Sequence, residues 1–89
     1  MKNLRIVVSG KVQGVFFRAS ARSEAMAHNL AGFTKNLPNG DVLIEAMGDE
    51  EQLEKFLKWC HRGPIMAHVT SVKTEEIPLG DYTSFEIHY

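Results

Sequence analysis

The chain reads as strand, helix, strand, strand, helix, strand, with one extra C-terminal strand, and that order predicts an α+β fold. The expected architecture is a ferredoxin-like βαββαβ sandwich, an antiparallel sheet with two helices on one face. Three observations lead there. Apolar residues alternate with period two near the start, two later stretches repeat at helical spacing, and a Pro-Asn-Gly turn joins the two middle strands.

Each element has its own warrant. Leu4, Ile6 and Val8 alternate with Arg5, Val7 and Ser9, the pattern of a strand with one buried face. Gly10 and Gly14 are expected to turn the chain. A helix then runs from about Phe17 to His28, with Phe17, Ala21, Ala25 and His28 on one side. Asn29 suits the left-handed residue that closes a helix, and His28 reads as a core or capping histidine. Gly32 to Leu37 forms the second strand, Leu37 to Asp41 a hairpin turn, and Asp41 to Met47 the third strand. Asp49 is the expected N-cap of the second helix, with Glu50 and Glu51 in its first turn. Leu53, Phe56, Leu57 and Cys60 make its buried stripe, Trp59 falls half-buried beside it, and Gly63-Pro64 stops it. In the fourth strand, His68 to Ile77, Val69 and Val72 break the alternation and flag a bulge. Phe85, Ile87 and Tyr89 alternate with Ser84, Glu86 and His88 as the last strand.

Totals narrow the function classes. Residues 1–89 read as a single domain, of a size that buries about 60–65 % of the unfolded chain's surface. A net charge of −1 argues against a nucleic-acid binder driven by overall electrostatics. The single cysteine, Cys60, forms no internal disulfide, so a reducing cytoplasm is the expected compartment. It sits in a helical core stripe and carries no mark of reactivity. No signal peptide, apolar run of membrane length, repeat or linker is legible.

The stretch Val8 to Ser20, V-S-G-K-V-Q-G-V-F-F-R-A-S, carries the chemistry. A strand arrives, the chain turns through glycines, and a helix leaves with Arg18 near its start. No Ser, Thr, Asp or Asn stands at Gly14 to Phe17 to cap the first free N–H groups of that helix. An anion at the positive helix end would take up those donors, and Arg18 adds a planar fork matched to phosphate or carboxylate oxygens. The same stretch also reads as an ordinary turn followed by an exposed arginine. Neither a Walker loop nor a G-x-G-x-x-G fingerprint is present. Lys35 and Asn36 interrupt an apolar pattern where the second strand ends. Asn36 carries a carboxamide that both donates and accepts, as positioning a water requires; it also fits a plain strand-end asparagine.

G-K-V-Q-G-V-F-F-R at 10–18 and G-F-T-K-N-L-P-N-G-D-V at 32–42 resemble the two signature stretches of the acylphosphatase family. The similarity extends over essentially the whole chain, including Gly48 after the third strand and the Phe-x-Ile ending. The resemblance implies a small ferredoxin-like enzyme that hydrolyses the carboxyl-phosphate bond of acyl phosphates. It implies that the loop Val12, Gln13, Gly14, Val15, Phe16 and Phe17, with Arg18, holds the phosphate, and that Asn36 orients the attacking water. Two departures stand out: Thr34 where a small apolar residue is usual, and His28-Asn29 where Leu-Gly is usual.

A carboxylate is a good leaving group, so no general acid is essential, and in-line positioning with charge stabilisation suffices. No metal or other cofactor is expected, since His28, His61, His68 and His88 are scattered over different elements. The expected partners are a small acyl phosphate and inorganic phosphate, as product and inhibitor, with no nucleic acid or membrane and a monomeric state. The alternative is a non-catalytic phosphate or carbamoyl-phosphate binding domain, such as the similar domain at the N-terminus of a large hydrogenase-maturation protein. The chain ending at Tyr89 after a full set of elements favours a free-standing enzyme. An RNA-binding sheet is disfavoured because the third strand holds no aromatic residue.

Overall fold

The computed structural model describes all of residues 1–89. Its elements are β1 (Lys2–Lys11), α1 (Phe17–Ala27), β2 (Ala31–Asn36), β3 (Val42–Gly48), α2 (Glu50–Arg62), β4 (His68–Ile77) and β5 (Phe85–His88). The sheet order is β4-β1-β3-β2-β5, with both helices on one face. The pairs β1–β3, β1–β4 and β2–β3 are antiparallel, as expected.

The extra strand departs from that expectation. β5 pairs with β2 in parallel, Gly32 opposite Phe85 and Lys35 opposite His88, so the sheet is mixed at this edge. The direction follows from the connection. β4 ends beside Asn3, and residues 78–84 then cross the outer sheet face to the far edge. They leave β5 at the end where β2 also starts. Asn3 Nδ2 fastens the crossing by donating to Pro78 O at 3.0 Å and Tyr82 Oη at 3.1 Å, and the Tyr82 hydroxyl donates to Glu45.

The core lies between sheet and helices. Ile6, Val8, Val42, Ile44 and Ala46 meet Phe17, Ala21 and Ala25 of α1 and Leu53, Phe56 and Cys60 of α2. Trp59 is buried with them rather than half-exposed: its ring lies 5.3 Å from Phe17 and 5.9 Å from Phe56, centroid to centroid. The place beside the stripe is filled by the neighbouring helix, which covers it. Leu57, on the stripe, is only partly buried. Burial raises the Cys60 thiol far above the ordinary thiol range, in keeping with a core thiol. No helix is long and apolar enough to cross a membrane.

Helix ends explain themselves locally. Asn29 adopts φ 56°, and Leu30 N–H donates to Ala25 O at 2.9 Å, closing α1 as a Schellman turn. His28 sits at the C-cap and joins the helices, its Nδ1 lying 2.9 Å from Gln52 Oε1. Asp49 occupies the N-cap of α2, but its side chain makes no capping hydrogen bond, which leaves the acidic first turn to favour the helix by charge alone.

Gly10 is not a turn residue. It lies inside β1 with φ 122°, beside the β4 irregularity that Val69 and Val72 foreshadowed. A Cβ there would stand 2.2 Å from His68 O and 2.8 Å from Thr70 N, both backbone atoms of the bulged strand. Gly10→Ala should therefore cost about 3 kcal/mol through strain and overlap together. Urea unfolding would show it as a lowered midpoint with an unchanged slope.

Candidate active site

β1 ends at Lys11, and the next five residues turn into α1 with alternating destinies. Val12 and Val15 are buried in the core, as is Phe17, whereas Gly14 and Phe16 face outward. The turn needs two left-handed residues. Gly14 takes φ 75° at no steric cost, and Phe16, the N-cap of α1, takes φ 64° without any side-chain cap. A bulky residue in that region stores strain, a feature that gathers at ligand-holding loops. None of the turn, loop and cap hydrogen bonds between backbone groups uses an N–H of Val12 to Phe16 as donor. The loop is held instead by Gln13, whose Nε2 donates to Leu37 O at 2.8 Å and Asp41 O at 2.9 Å. These two bonds clamp the loop to the β2–β3 hairpin, and so bring residues 12–17 beside the end of β2.

A cavity of about 270 Å³ opens there. Val12, Gly14 and Phe16 line it from the loop, Phe17, Arg18 and Ala19 from α1, and Asn36 from β2. Gln13 and Val15 do not reach it with their side chains, one being engaged in the clamp and the other in the core. The fold thus brings together Arg18 and Asn36, which are separate in sequence. No acidic side chain lines the cavity. That leaves its one cation, Arg18, uncompensated by a carboxylate and available to an anion.

Two lining residues were not picked out as site residues from the sequence: Ile87 and Tyr89, at the far end of β5. Their face was legible from the alternation with Phe85, but their neighbour was not, because that depends on β5 lying along β2. The strand braces Arg18. Its Nη1 donates to His88 O at 3.2 Å, and its guanidinium carbon lies 4.9 Å from the centre of the Tyr89 ring. Ring and carbonyl hold the planar group at the cavity wall while other N–H donors of the fork remain for a ligand.

Asn36 closes β2 in register with Val42. Its Oδ1 is buried without a hydrogen-bond partner, although the residue lines the cavity. The cavity thus combines unpaired backbone donors, a braced arginine and a neutral amide. That set can hold a tetrahedral anion and one water, and it contains no general acid or base.

Known proteins resemble this chain in sequence and fold. The acylphosphatase family model matches residues 4–87. An acylphosphatase of Colwellia psychrerythraea is 44% identical over 80 residues, covering 90% of this chain and 90% of its own. The solved structure of an acylphosphatase from Coxiella burnetii is 41% identical with a TM-score of 0.95, and the match covers 98% of this chain and 92% of that one. The acylphosphatase from Bacillus subtilis is 38% identical, with a TM-score of 0.97 and all of both chains covered. With the sequence matched nearly end to end and the backbone superposing so closely, the chain belongs to the acylphosphatase family of hydrolases acting on acid anhydrides.

Proposed function

We propose that this cavity hydrolyses acyl phosphates to a carboxylate and inorganic phosphate, with Arg18 and the backbone N–H groups of residues 12–17 holding the phosphoryl group and Asn36 orienting the water. The carrying observation is that Arg18, Asn36 and a loop whose N–H groups at Val12 to Phe16 have no backbone acceptor line one cavity without an acidic side chain. Water attacks phosphorus in line with the acyl oxygen, and the P–O bond to that oxygen breaks with its electron pair going to the carboxylate. The proton released by the water passes to a phosphate oxygen, so a dianionic acyl phosphate yields a carboxylate and dihydrogen phosphate. The growing charge is spread over oxygens facing preorganised donors, where stabilisation is largest.

Release of inorganic phosphate from benzoyl phosphate tests the reading and separates it from a domain that only binds phosphate. Hydrolysis should survive thorough chelation, because the four histidines lie at the end of α1, in α2, in β4 and in β5, and no three potential ligands gather. Loss in EDTA restored by one divalent ion would overturn the proposal. Inorganic phosphate should inhibit competitively and sulfate should mimic it, while chloride at matched ionic strength should not; equal inhibition by all three would mean general screening.

The same reading takes the protein as a cytoplasmic monomer that engages no nucleic acid. Its outer sheet face supports the last point. Arg5 there is paired with Glu45 and Glu75, and Phe33 is already stacked on His88 at 4.5 Å. Light scattering at micromolar concentration checks the monomer.

A further inference from the structure

We propose that the Thr34 hydroxyl orients the Asn36 carboxamide, which makes Thr34 a positioning residue for the attacking water; this rests on the role of Asn36 given above. Two polar side-chain atoms of β2 are buried without a partner, Thr34 Oγ1 and Asn36 Oδ1. Residues two apart on a strand point to the same face, so both atoms lie on the helix side of the sheet. Thr34 is fully buried, and its register partners are Ile44 on β3 and Ile87 on β5, which offer no side-chain acceptor. The two orphans are complementary. An amide oxygen can only accept, and a threonine hydroxyl can donate. Leaving both unpaired carries a desolvation cost that one hydrogen bond between them removes, by rotation of Thr34 about χ1 or across a single bridging water.

The consequence falls on the chemistry. Turning an asparagine amide end for end keeps its shape but exchanges donor and acceptor. With Oδ1 held inward by Thr34, the NH2 end faces the cavity. It donates to the water oxygen, occupies one lone pair and leaves the other aimed at phosphorus, while both water protons stay free for phosphate oxygens. The opposite orientation would accept a water proton and leave the attacking lone pair unaimed. Thr34 selects the first arrangement without touching substrate.

The test compares Thr34→Val, Thr34→Ala, Thr34→Ser, Asn36→Ala and the Thr34→Val/Asn36→Ala double variant, using benzoyl phosphate turnover, phosphate affinity and denaturant midpoint. Valine and alanine should each lower kcat about tenfold, as expected for a misaimed reactant, with KM and phosphate affinity unchanged. Serine should restore most of the rate, and the double variant should be no slower than Asn36→Ala alone. The valine variant should be slightly less stable than the parent, because it leaves the Asn36 carboxamide oxygen buried without a donor. If valine and alanine keep full kcat while Asn36→Ala loses it, Thr34 has no part in positioning and only this inference falls. If Asn36→Ala itself keeps kcat, the role of Asn36 falls, and this one with it. A serine variant as slow as alanine would trace the effect to the lost methyl group and overturn the proposal. Serine against alanine decides the matter even if the valine variant does not fold.

Discussion

Arg18→Ala should lower kcat/KM by about two to four powers of ten and weaken phosphate binding with it. Both losses share a cause. The guanidinium meets phosphoryl oxygens in the ground state and in the transition state, through charge-assisted hydrogen bonds of about 1.5–3 kcal/mol each. Lysine should rescue poorly, because it keeps the charge but neither the fork nor a plane to lie against Tyr89. The fold should tolerate the change, since the side chain gives up one hydrogen bond to His88 O and its contact with that ring. Steady-state kinetics with isothermal titration of phosphate would decide. Unchanged phosphate affinity in the alanine variant would remove Arg18 from the anion site.

Asn36→Ala should show the opposite split. Its task is confined to the water, so kcat should fall by about two to three powers of ten while phosphate affinity stays nearly intact. Stability should fall only slightly, because the carboxamide oxygen gives up no more than its one bond with Thr34. Asn36→Asp should be no better than alanine, as a fixed negative charge would repel the anionic substrate. A variant that lost phosphate affinity and kept kcat would place Asn36 among the binding groups instead.

The residues that could be read from the chain were those governed by local rules. The missing cap at 14–17 foretold a helix started on free N–H groups, and Phe16 does start it in a left-handed conformation without a side-chain cap. Asn29 was legible as a left-handed closure for the same reason. Period two gave the buried face of β1 correctly, since alternation reports which way a side chain points. It does not report which strand lies alongside. The parallel seating of β5 depends on a crossing fixed by Asn3 to Pro78 and Tyr82, contacts more than seventy residues apart. The brace on Arg18 was hidden for that reason. Gly10 misled because a glycine before a loop signals a turn, whereas here it admits the β4 backbone. Thr34 looked like a packing departure, and only its burial beside another unpaired atom gives it a role.

The seating of β5 also decides how the protein can be handled. β1 carries Lys2 opposite Gly48 at one end of the sheet, and the cavity opens roughly 20 Å away, beside Asn36 where β2 and β5 finish. A bead, dye or fused partner joined through Met1 therefore hangs clear of the substrate. One joined through Tyr89 starts from the cavity wall itself and crowds the guanidinium that the ring supports. For immobilised catalysts or optical sensors built on this chain, the amino end is the handle.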